Sequence, residues 1–193
     1  MCPFPCILEK GFFMENKLKN ILIVSGSGKN VGKTTFIREI ISHGQAKGIT
    51  AVKISPHFHK ITSGLIPVVS GEGWEIFRET NARIQKDSSR FLRAGAETSY
   101  YIQAEKTKTA EVYNELRKII PKGSPVIIES AGIRGIINPG IYAVIISEEN
   151  YSGKEPEGEL MKADLIVFSD KTQFYPDAGN IYFNNGWEIN TQK

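Results

Sequence analysis

The sequence predicts an α/β domain with a mostly parallel sheet flanked by helices. From about Asn20 onward, short apolar runs rich in β-branched residues alternate with longer amphipathic stretches, as is typical of β–α units. Several apolar strands joined by helices imply a sheet covered on both faces. The chain has 193 residues, the length of one domain. We therefore predict an N-terminal extension over residues 1–19 and a single domain over 20–193.

In the first half of the chain, two strands enclose a helix and are followed by a β-hairpin. ILIV at 21–24 and ITAVKI at 49–54 are the strands. Between them, Lys47 and Gly48 are expected to end the helix. IPVV and WEIFRET flank a Ser-Gly-Glu-Gly segment, which predicts a hairpin turning at Gly71 and Gly73, inserted after the second strand. The helix is predicted from apolar residues at helical spacing, namely Phe36, Ile37, Ile40 and Ile41.

In the second half, two helices and four strands alternate. KDSSRFLRAGA at 86–96 predicts a short helix ended by Gly95, and Pro121 with Gly123 is expected to close the second helix. The residues of Glu148 to Glu159 are expected to form an exposed loop. The second helix is predicted from Val112, Tyr113, Leu116, Ile119 and Ile120. The predicted strands are TSYYIQ at 98–103, PVIIE at 125–129, IYAVIIS at 141–147 and ADLIVFSD at 163–170.

The net charge and the composition of the sequence indicate which kinds of partner and which compartment to expect. The net charge is +3, with Lys and Arg spread along the whole length, so no nucleic-acid or membrane partner is predicted. Proline and charged residues interrupt the apolar N-terminal stretch, leaving neither a signal-peptide core nor a membrane span. We therefore expect a cytoplasmic protein. Cys2 and Cys6 are the only cysteines; two thiols this close can bind metal or oxidise, or they lie in a loose tail in a reducing cytosol.

SGSGKNVGKTTF at 25–36 directly follows the first strand and predicts a phosphate-binding loop of the P-loop NTPase type. Such a loop needs glycines for close approach, a helix N-terminus, a lysine and a hydroxyl for Mg²⁺. Lys33 is expected to contact the β- and γ-phosphates, Thr34 to bind Mg²⁺ and Thr35 to cap the helix or contact the α-phosphate. Ser27 stands where the G-x-x-x-x-G-K-[ST] pattern has its first glycine. The predicted nucleotide-binding residues are Gly26, Ser27, Gly28, Lys29, Asn30, Val31, Gly32, Lys33, Thr34 and Thr35.

VIIESAG at 126–132 supplies a second part of the same site. Glu129 ends an apolar strand, and Gly132 follows three residues later. A carboxylate there can hold Mg²⁺ or its water, so Thr34 and Glu129 are the predicted metal ligands and Lys33 and Glu129 the predicted catalytic groups. The guanine-reading N-K-x-D is absent, and the sequence leaves GTP and ATP both open.

KISPHFHK at 53–60 follows the second strand, at the sheet edge where parallel folds bind ligands. Lys53 lies at this edge, and His57 and His59 can bind an anionic substrate, transfer protons or ligate a metal. They can equally be loop residues without a ligand. By composition alone, Asp87 and Ser88 of KDSSRFLRAGA belong to the charged outer face of an amphipathic helix.

The order and spacing of SGSGKNVGKTTF, KISPHFH, KDSSRFLRAGA and VIIESAG resemble the GTP-binding adaptor family of molybdopterin-guanine dinucleotide biosynthesis, over about residues 21–147. The resemblance implies a P-loop homodimer that binds GTP with Mg²⁺ and hydrolyses it weakly. It also implies a partner, the nucleotidyltransferase that attaches GMP to molybdopterin. Lys53, His57, Asp87 and Ser88 would line the dimer or substrate side.

Two other classes share parts of this pattern. The loop also resembles that of dethiobiotin synthetase, which implies an ATP-dependent ligase or small-molecule kinase. A GTPase that delivers a metal ion is the other class, with Cys2, Cys6, His57 and His59 as its delivery ligands.

Overall fold

The computed structural model describes residues 16–44, 46–147, 157–170 and 172–190. The helices in these ranges are α1 (Lys33–Ser42), α2 (Asp87–Ala94), α3 (Thr109–Ile119) and the short α4 (Glu157–Leu160). The strands are β1 (Leu18–Gly26), β2 (Thr50–Ser55), β3 (Leu65–Gly71), β4 (Trp74–Glu79), β5 (Thr98–Ala104), β6 (Val126–Glu129), β7 (Pro139–Ser147), β8 (Leu165–Ser169), β9 (Phe174–Tyr175), β10 (Ile181–Phe183) and β11 (Trp187–Ile189).

Nine of the described strands form one sheet, in the order β3-β4-β5-β2-β6-β1-β7-β8-β9. The strands from β5 to β8 in that order run parallel. The hairpin of β3 and β4 extends one edge through antiparallel pairing of β4 with β5, and β9 is antiparallel to β8. The predicted fold class is therefore confirmed: a mostly parallel sheet flanked by helices, with a β-hairpin inserted after β2.

The side chains of β1 alternate between two apolar cores, one on each face of the sheet. Leu22 and Val24 belong to the core that also contains α1, while Ile21 and Ile23 belong to the core that contains α3. Strand side chains point to opposite faces with a period of two. Because both faces are covered, the sequence of β1 contains a continuous apolar run instead of an alternation of apolar and polar residues.

The predicted apolar face of α1 is buried, whereas that of α3 is buried at Val112, Tyr113 and Leu116 and only partly buried at Ile119 and Ile120. Phe36, Ile37, Ile40 and Ile41 are the buried residues of α1, and Gly95 ends α2 in the left-handed conformation with φ of 109°. The hairpin turn falls at Glu72 and Gly73, within the predicted Ser-Gly-Glu-Gly segment, while Gly71 is the last residue of β3.

Two predicted boundaries are wrong. Helix α1 ends at Ser42 and not near Lys47, because Gly44 already has a left-handed φ of 67° that interrupts the helix. Of the predicted exposed loop, residues 148–156 lie outside the described ranges, and Glu157–Leu160 forms the helical turn α4.

Strands β10 and β11 form a separate antiparallel pair that the sequence did not predict. Trp187 is buried there, and its indole N–H donates to the carbonyl oxygens of Asn20 and Val126 at 3.0 and 3.1 Å. These bonds fix the C-terminal hairpin against β1 and β6. Across the described ranges, no helix combines the length and the apolar character needed to cross a membrane.

Candidate functional site

The glycine-rich loop leaves the carboxyl end of β1 and enters α1. Asn30 and Gly32 have left-handed φ angles of 62° and 100°, and Gly32 is the residue before the first turn of α1. A β-carbon on Gly26 would lie 2.6 Å from Val31 Cγ2 and 2.8 Å from the Ile145 carbonyl oxygen. The tight path of the loop therefore depends on glycine at 26 and 32, and Asn30 adopts the conformation it tolerates better than most residues.

Ser27, which replaces the first glycine of the usual pattern, fits the loop without a left-handed backbone. In the described part of the chain, Asn30 and Asn185 are the non-glycine residues with positive φ. The Ser27 backbone N–H donates to the Ile145 carbonyl oxygen at 2.9 Å. This bond fixes the start of the loop against β7.

Lys33 and Thr34, the first two residues of α1, turn toward the loop and toward β6. Lys33 Nζ donates to the Gly28 carbonyl oxygen at 2.5 Å. The Thr34 hydroxyl donates to Glu129 Oε2 at 2.9 Å. Because β6 is hydrogen-bonded to β1 with Glu129 opposite Val24, the sheet register itself brings Glu129 beside the helix N-terminus.

Glu129 is the centre of a charged cluster at this sheet edge. Its side chain is only 3% exposed, and its Oε1 accepts a 2.5 Å bond from Lys53 Nζ. Lys53 lies opposite Glu129 in the pairing of β2 with β6, and its Nζ also lies 2.9 Å from Asp87 Oδ2, in the first turn of α2. Two carboxylates thus share one ammonium group.

The pKa of Lys53 reflects opposing effects. Burial alone would lower the pKa of the ammonium group, but the negative charges of Glu129 and Asp87, with their hydrogen bonds, outweigh burial and hold the pKa above its ordinary value. Lys53 therefore stays charged and balances part of the negative charge of the cluster.

Thr34 and Glu129 form a pair of oxygen ligands that suits Mg²⁺. Their facing oxygens are 2.9 Å apart. Mg²⁺ takes octahedral oxygen ligands at roughly 2.1 Å, so two neighbouring ligands lie about 3.0 Å apart, and it is commonly held by one or two protein oxygens plus phosphates. The residues present therefore fit the predicted metal site.

A cavity of about 790 Å³, called here the main cavity, opens above these residues. It joins the carboxyl ends of β1, β2 and β6 with the first turns of α1 and α2. Of the predicted site residues, Ser27 and Val31 do not line it, and Val31 is buried in the core. The predicted residues that line it are Gly26, Gly28, Lys29, Asn30, Gly32, Lys33, Thr34, Thr35, Lys53, His57, His59, Asp87 and Glu129.

His57 and His59 are exposed at the rim of the main cavity, with ring centroids 6.3 Å apart. The His59 backbone N–H donates to the Gln103 side chain at 2.9 Å. Among the residues that the structure describes, no group of three His, Cys, Asp or Glu side chains could hold a metal ion. Cys2 and Cys6, the other predicted delivery ligands, lie outside the described residues.

Ser88 is buried below this surface. Its hydroxyl donates to Glu79 Oε2 at 2.9 Å, while Glu79 Oε1 accepts from the backbone N–H groups of Thr80 and Asn81 at 3.1 and 2.9 Å. These bonds fasten α2 to the end of the inserted hairpin. The Ser88 hydroxyl is thus occupied by a contact that positions Asp87, its neighbour.

The structure adds one arginine that sequence reasoning missed. Arg90 lines the main cavity, and its Nη1 lies 3.9 Å from Asp87 Oδ1. Arg134, which follows Glu129 closely in sequence, instead donates to the Ile137 carbonyl oxygen at 3.2 Å and lies over the Tyr142 ring. The i, i+3 spacing of Asp87 and Arg90 on one helix was the available signal, but it is equally typical of a solvated helix face.

A smaller cavity of about 190 Å³, called here the side cavity, adjoins the main cavity. The two cavities share Lys53, Ser55, His59 and Asp87. The other residues of the side cavity are Lys60, Thr62, Leu65, Lys86, Ser88 and Tyr101. They come from the segment after β2, the start of β3, the start of α2 and β5, so no single stretch of sequence reveals them.

Comparison with known proteins gives one structural similarity. No family model matches the sequence, and no curated protein matches it. Among solved structures, the chain is similar to the "apo" form of LpxK from Aquifex aeolicus, crystallised in complex with ATP, with a TM-score of 0.47 and 14% identity. The similarity covers 84% of this chain and 51% of that one, so the chain spans about half the length of LpxK.

Proposed function

We propose that the protein binds a nucleoside triphosphate with Mg²⁺ in the main cavity and cleaves its γ-phosphate slowly. The observation that carries the proposal is the contact of Thr34, at the start of α1, with Glu129, at the end of β6. This contact joins two oxygen-bearing side chains that would hold Mg²⁺, next to a loop whose glycines allow close backbone approach.

Each group has a separate task in this mechanism. Backbone N–H groups of the loop and the N-terminus of α1 bind the phosphates, and the Lys33 ammonium neutralises charge on the β- and γ-phosphates. When bound, Mg²⁺ would supply electrostatic stabilisation of the phosphate oxygens. Thr34 and Glu129 would hold that ion, while Lys53 keeps the Glu129 carboxylate oriented through the 2.5 Å bond to its Oε1.

We expect slow turnover because Arg90, an arginine at the main cavity, is held by Asp87. Arg90 lines the main cavity, but its guanidinium lies toward Asp87. An arginine that reaches the transferred phosphate accelerates cleavage by roughly 10³- to 10⁵-fold. Movement of Arg90 away from Asp87 would be required for that acceleration.

The finer assignment is to GTP and to an adaptor role in molybdenum-cofactor synthesis. It is supported by the four sequence segments within 21–147 and by their convergence around the main cavity. In this role the protein is a cytoplasmic homodimer that assists the nucleotidyltransferase attaching GMP to molybdopterin. Faster GTP cleavage in the presence of that nucleotidyltransferase would support the role, and an unchanged rate with no complex on gel filtration would contradict it.

The second candidate is an ATP-dependent kinase or ligase acting on a small molecule. The observation that favours it is the side cavity, which opens beside Asp87 and Lys53 at the edge of the main cavity. A pure adaptor has no need of a second small-molecule cavity at this place.

One assay tests the shared part of both candidates. Phosphate release from GTP and from ATP is measured with Mg²⁺ and again with a chelator in excess. The proposal predicts slow, Mg²⁺-dependent release from at least one nucleotide. It predicts no release from the Lys33→Ala variant. Release that is independent of both Mg²⁺ and Lys33 would contradict the proposal.

A further inference from the structure

The side cavity carries an excess of positive charge. Lys60 and Lys86 line it together with Lys53, and neither Lys60 nor Lys86 forms an ion pair within the described ranges of the chain. Its one carboxylate, Asp87, already contacts Lys53 at 2.9 Å and Arg90 at 3.9 Å. Lys60 and Lys86 are exposed, and a negatively charged ligand in the side cavity would gain charge-assisted contacts with them.

Part of the wall of the side cavity is apolar and aromatic. Leu65 and Tyr101 form it, and the Tyr101 ring stacks on Phe77 with centroids 6.4 Å apart. Burial raises the pKa of the Tyr101 hydroxyl, so this wall adds no negative charge near neutral pH. The cavity thus offers two cationic groups for an anion and an apolar surface for a short carbon skeleton.

The size of the side cavity limits the ligand. Its volume of about 190 Å³ lies below the roughly 300–1,000 Å³ of pockets for drug-sized ligands. A compound with a few carbon atoms and one phosphate or carboxylate group fits such a space, whereas a nucleotide or a protein segment does not.

We propose that the side cavity binds the phosphate or carboxylate group of a small organic substrate, with Lys60 and Lys86 as its anion-binding residues. The inference rests on the proposed nucleotide binding and on the second candidate function, the kinase, because the shared residues Lys53 and Asp87 would place the substrate next to the bound triphosphate. A hydroxyl of the substrate would attack the γ-phosphorus while the bond to the β–γ bridging oxygen breaks. The nucleoside diphosphate leaves, and the hydroxyl proton passes to the Asp87 carboxylate.

The test uses inorganic phosphate as the probe and the full chain saturated with Mg²⁺-ADP, so that the glycine-rich loop is already occupied. Phosphate is titrated while the backbone amide resonances of Thr62, Leu65 and Lys86 are followed by NMR. The proposal predicts saturable shifts at these residues, with affinity reduced at least about tenfold in a Lys60→Ala/Lys86→Ala double variant, because two charge-assisted contacts are lost. Glycerol, which is neutral, should shift none of them.

The matched control is a Lys106→Ala/Lys122→Ala double variant, which loses the same charge at exposed positions outside both cavities. Phosphate affinity equal in the two double variants, or shifts that do not saturate, would overturn the inference. Failure of the proposed function is visible separately, since Mg²⁺-ADP would then leave the amides of Lys33 and Thr34 unshifted. In that case the phosphate titration of the nucleotide-free protein still decides whether the side cavity binds anions.

Discussion

The Thr34 hydroxyl donates a 2.9 Å hydrogen bond to Glu129 Oε2, across 95 positions of sequence. The parallel pairing of β1 with β6 makes this contact possible, because it brings the end of β6 level with the loop that opens α1. Both oxygens are ligands that Mg²⁺ accepts, and Lys53 fixes the second oxygen of Glu129. The register of the central sheet thus brings together the two residues that are the predicted metal ligands.

Glu129→Gln is expected to weaken Mg²⁺-dependent turnover more than nucleotide affinity. The amide keeps the size of the side chain but loses the charge that holds the cation, and losses of about tenfold to a hundredfold are typical when a metal's supporting groups are altered. Nucleotide affinity should stay within about threefold, because the phosphates are bound by the loop and α1. Turnover as a function of Mg²⁺ concentration, together with calorimetric titration, checks the prediction.

Glu72→Gln is the matched control for that variant, since Glu72 lies in the exposed turn between β3 and β4. It should behave as the wild type. Equal losses of turnover and of nucleotide affinity in Glu129→Gln would show that Glu129 has no separate role at the metal.

Lys53→Met is expected to lower the free energy of unfolding by about 2–3 kcal/mol. Removing one partner of a buried ion pair typically costs about 3–5 kcal/mol, and the value here is smaller because Lys53 is 21% exposed. Glu129 would remain buried with its charge no longer balanced by an ammonium group. Urea unfolding of both proteins at pH 8 measures the difference, and a difference below about 0.5 kcal/mol, the usual effect of a surface substitution, would contradict this account of the cluster.

The difference in free energy of unfolding between the wild type and Lys53→Met should depend on pH under alkaline conditions. The folded-state pKa of Lys53 is raised, against the opposing effect of burial, by Glu129 and Asp87. Its contribution to stability is therefore fully present below the unfolded-state pKa of about 10.4 and is lost as pH rises through the higher folded-state pKa. Unfolding free energies measured from pH 8 to pH 11 should differ less between the two proteins at the upper end. A constant difference would refute the pKa assignment.

Arg90→Ala is expected to leave basal turnover and nucleotide affinity nearly unchanged, because the Arg90 guanidinium lies toward Asp87 in this structure. Arg93→Ala is the matched control, because Arg93 lies on the same helix but is exposed and outside the main cavity. Single-turnover phosphate release gives the rates. A loss of about tenfold or more in Arg90→Ala alone would contradict this account and show that Arg90 reaches the transferred phosphate.

The strands, the helices and the glycine-rich loop could be predicted from sequence because each depends on local patterns. The apolar run of β1 and the spacing of Phe36, Ile37, Ile40 and Ile41 reflect burial on both faces of the sheet. The end of α1 could not be predicted from such patterns, because both Gly44 and Gly48 are suited to follow a helix. In the structure the helix ends before the first of them, Gly44.

The contacts of the site depend on strand order, which local patterns do not encode. Lys53 meets Glu129 because β2 lies next to β6, and Lys60 and Lys86 line one cavity because the inserted hairpin extends the sheet beyond β5. The packing of α2 has the same kind of cause. The bond of Ser88 to Glu79 fastens α2 to the end of β4, so that Ser88 is buried and Arg90 lies at the main cavity.

Calorimetric titration of GTP, ATP and their diphosphates with Mg²⁺ into the wild type and into Lys33→Ala tests the central claim most directly. The account predicts saturable binding to the wild type and an affinity at least about a hundredfold lower in the variant, or about 2.7 kcal/mol, with an unchanged circular dichroism spectrum. Selective GTP binding would support the adaptor role, and selective ATP binding the kinase or ligase. Equal affinity of the two proteins for every nucleotide would contradict the claim that this loop binds phosphate.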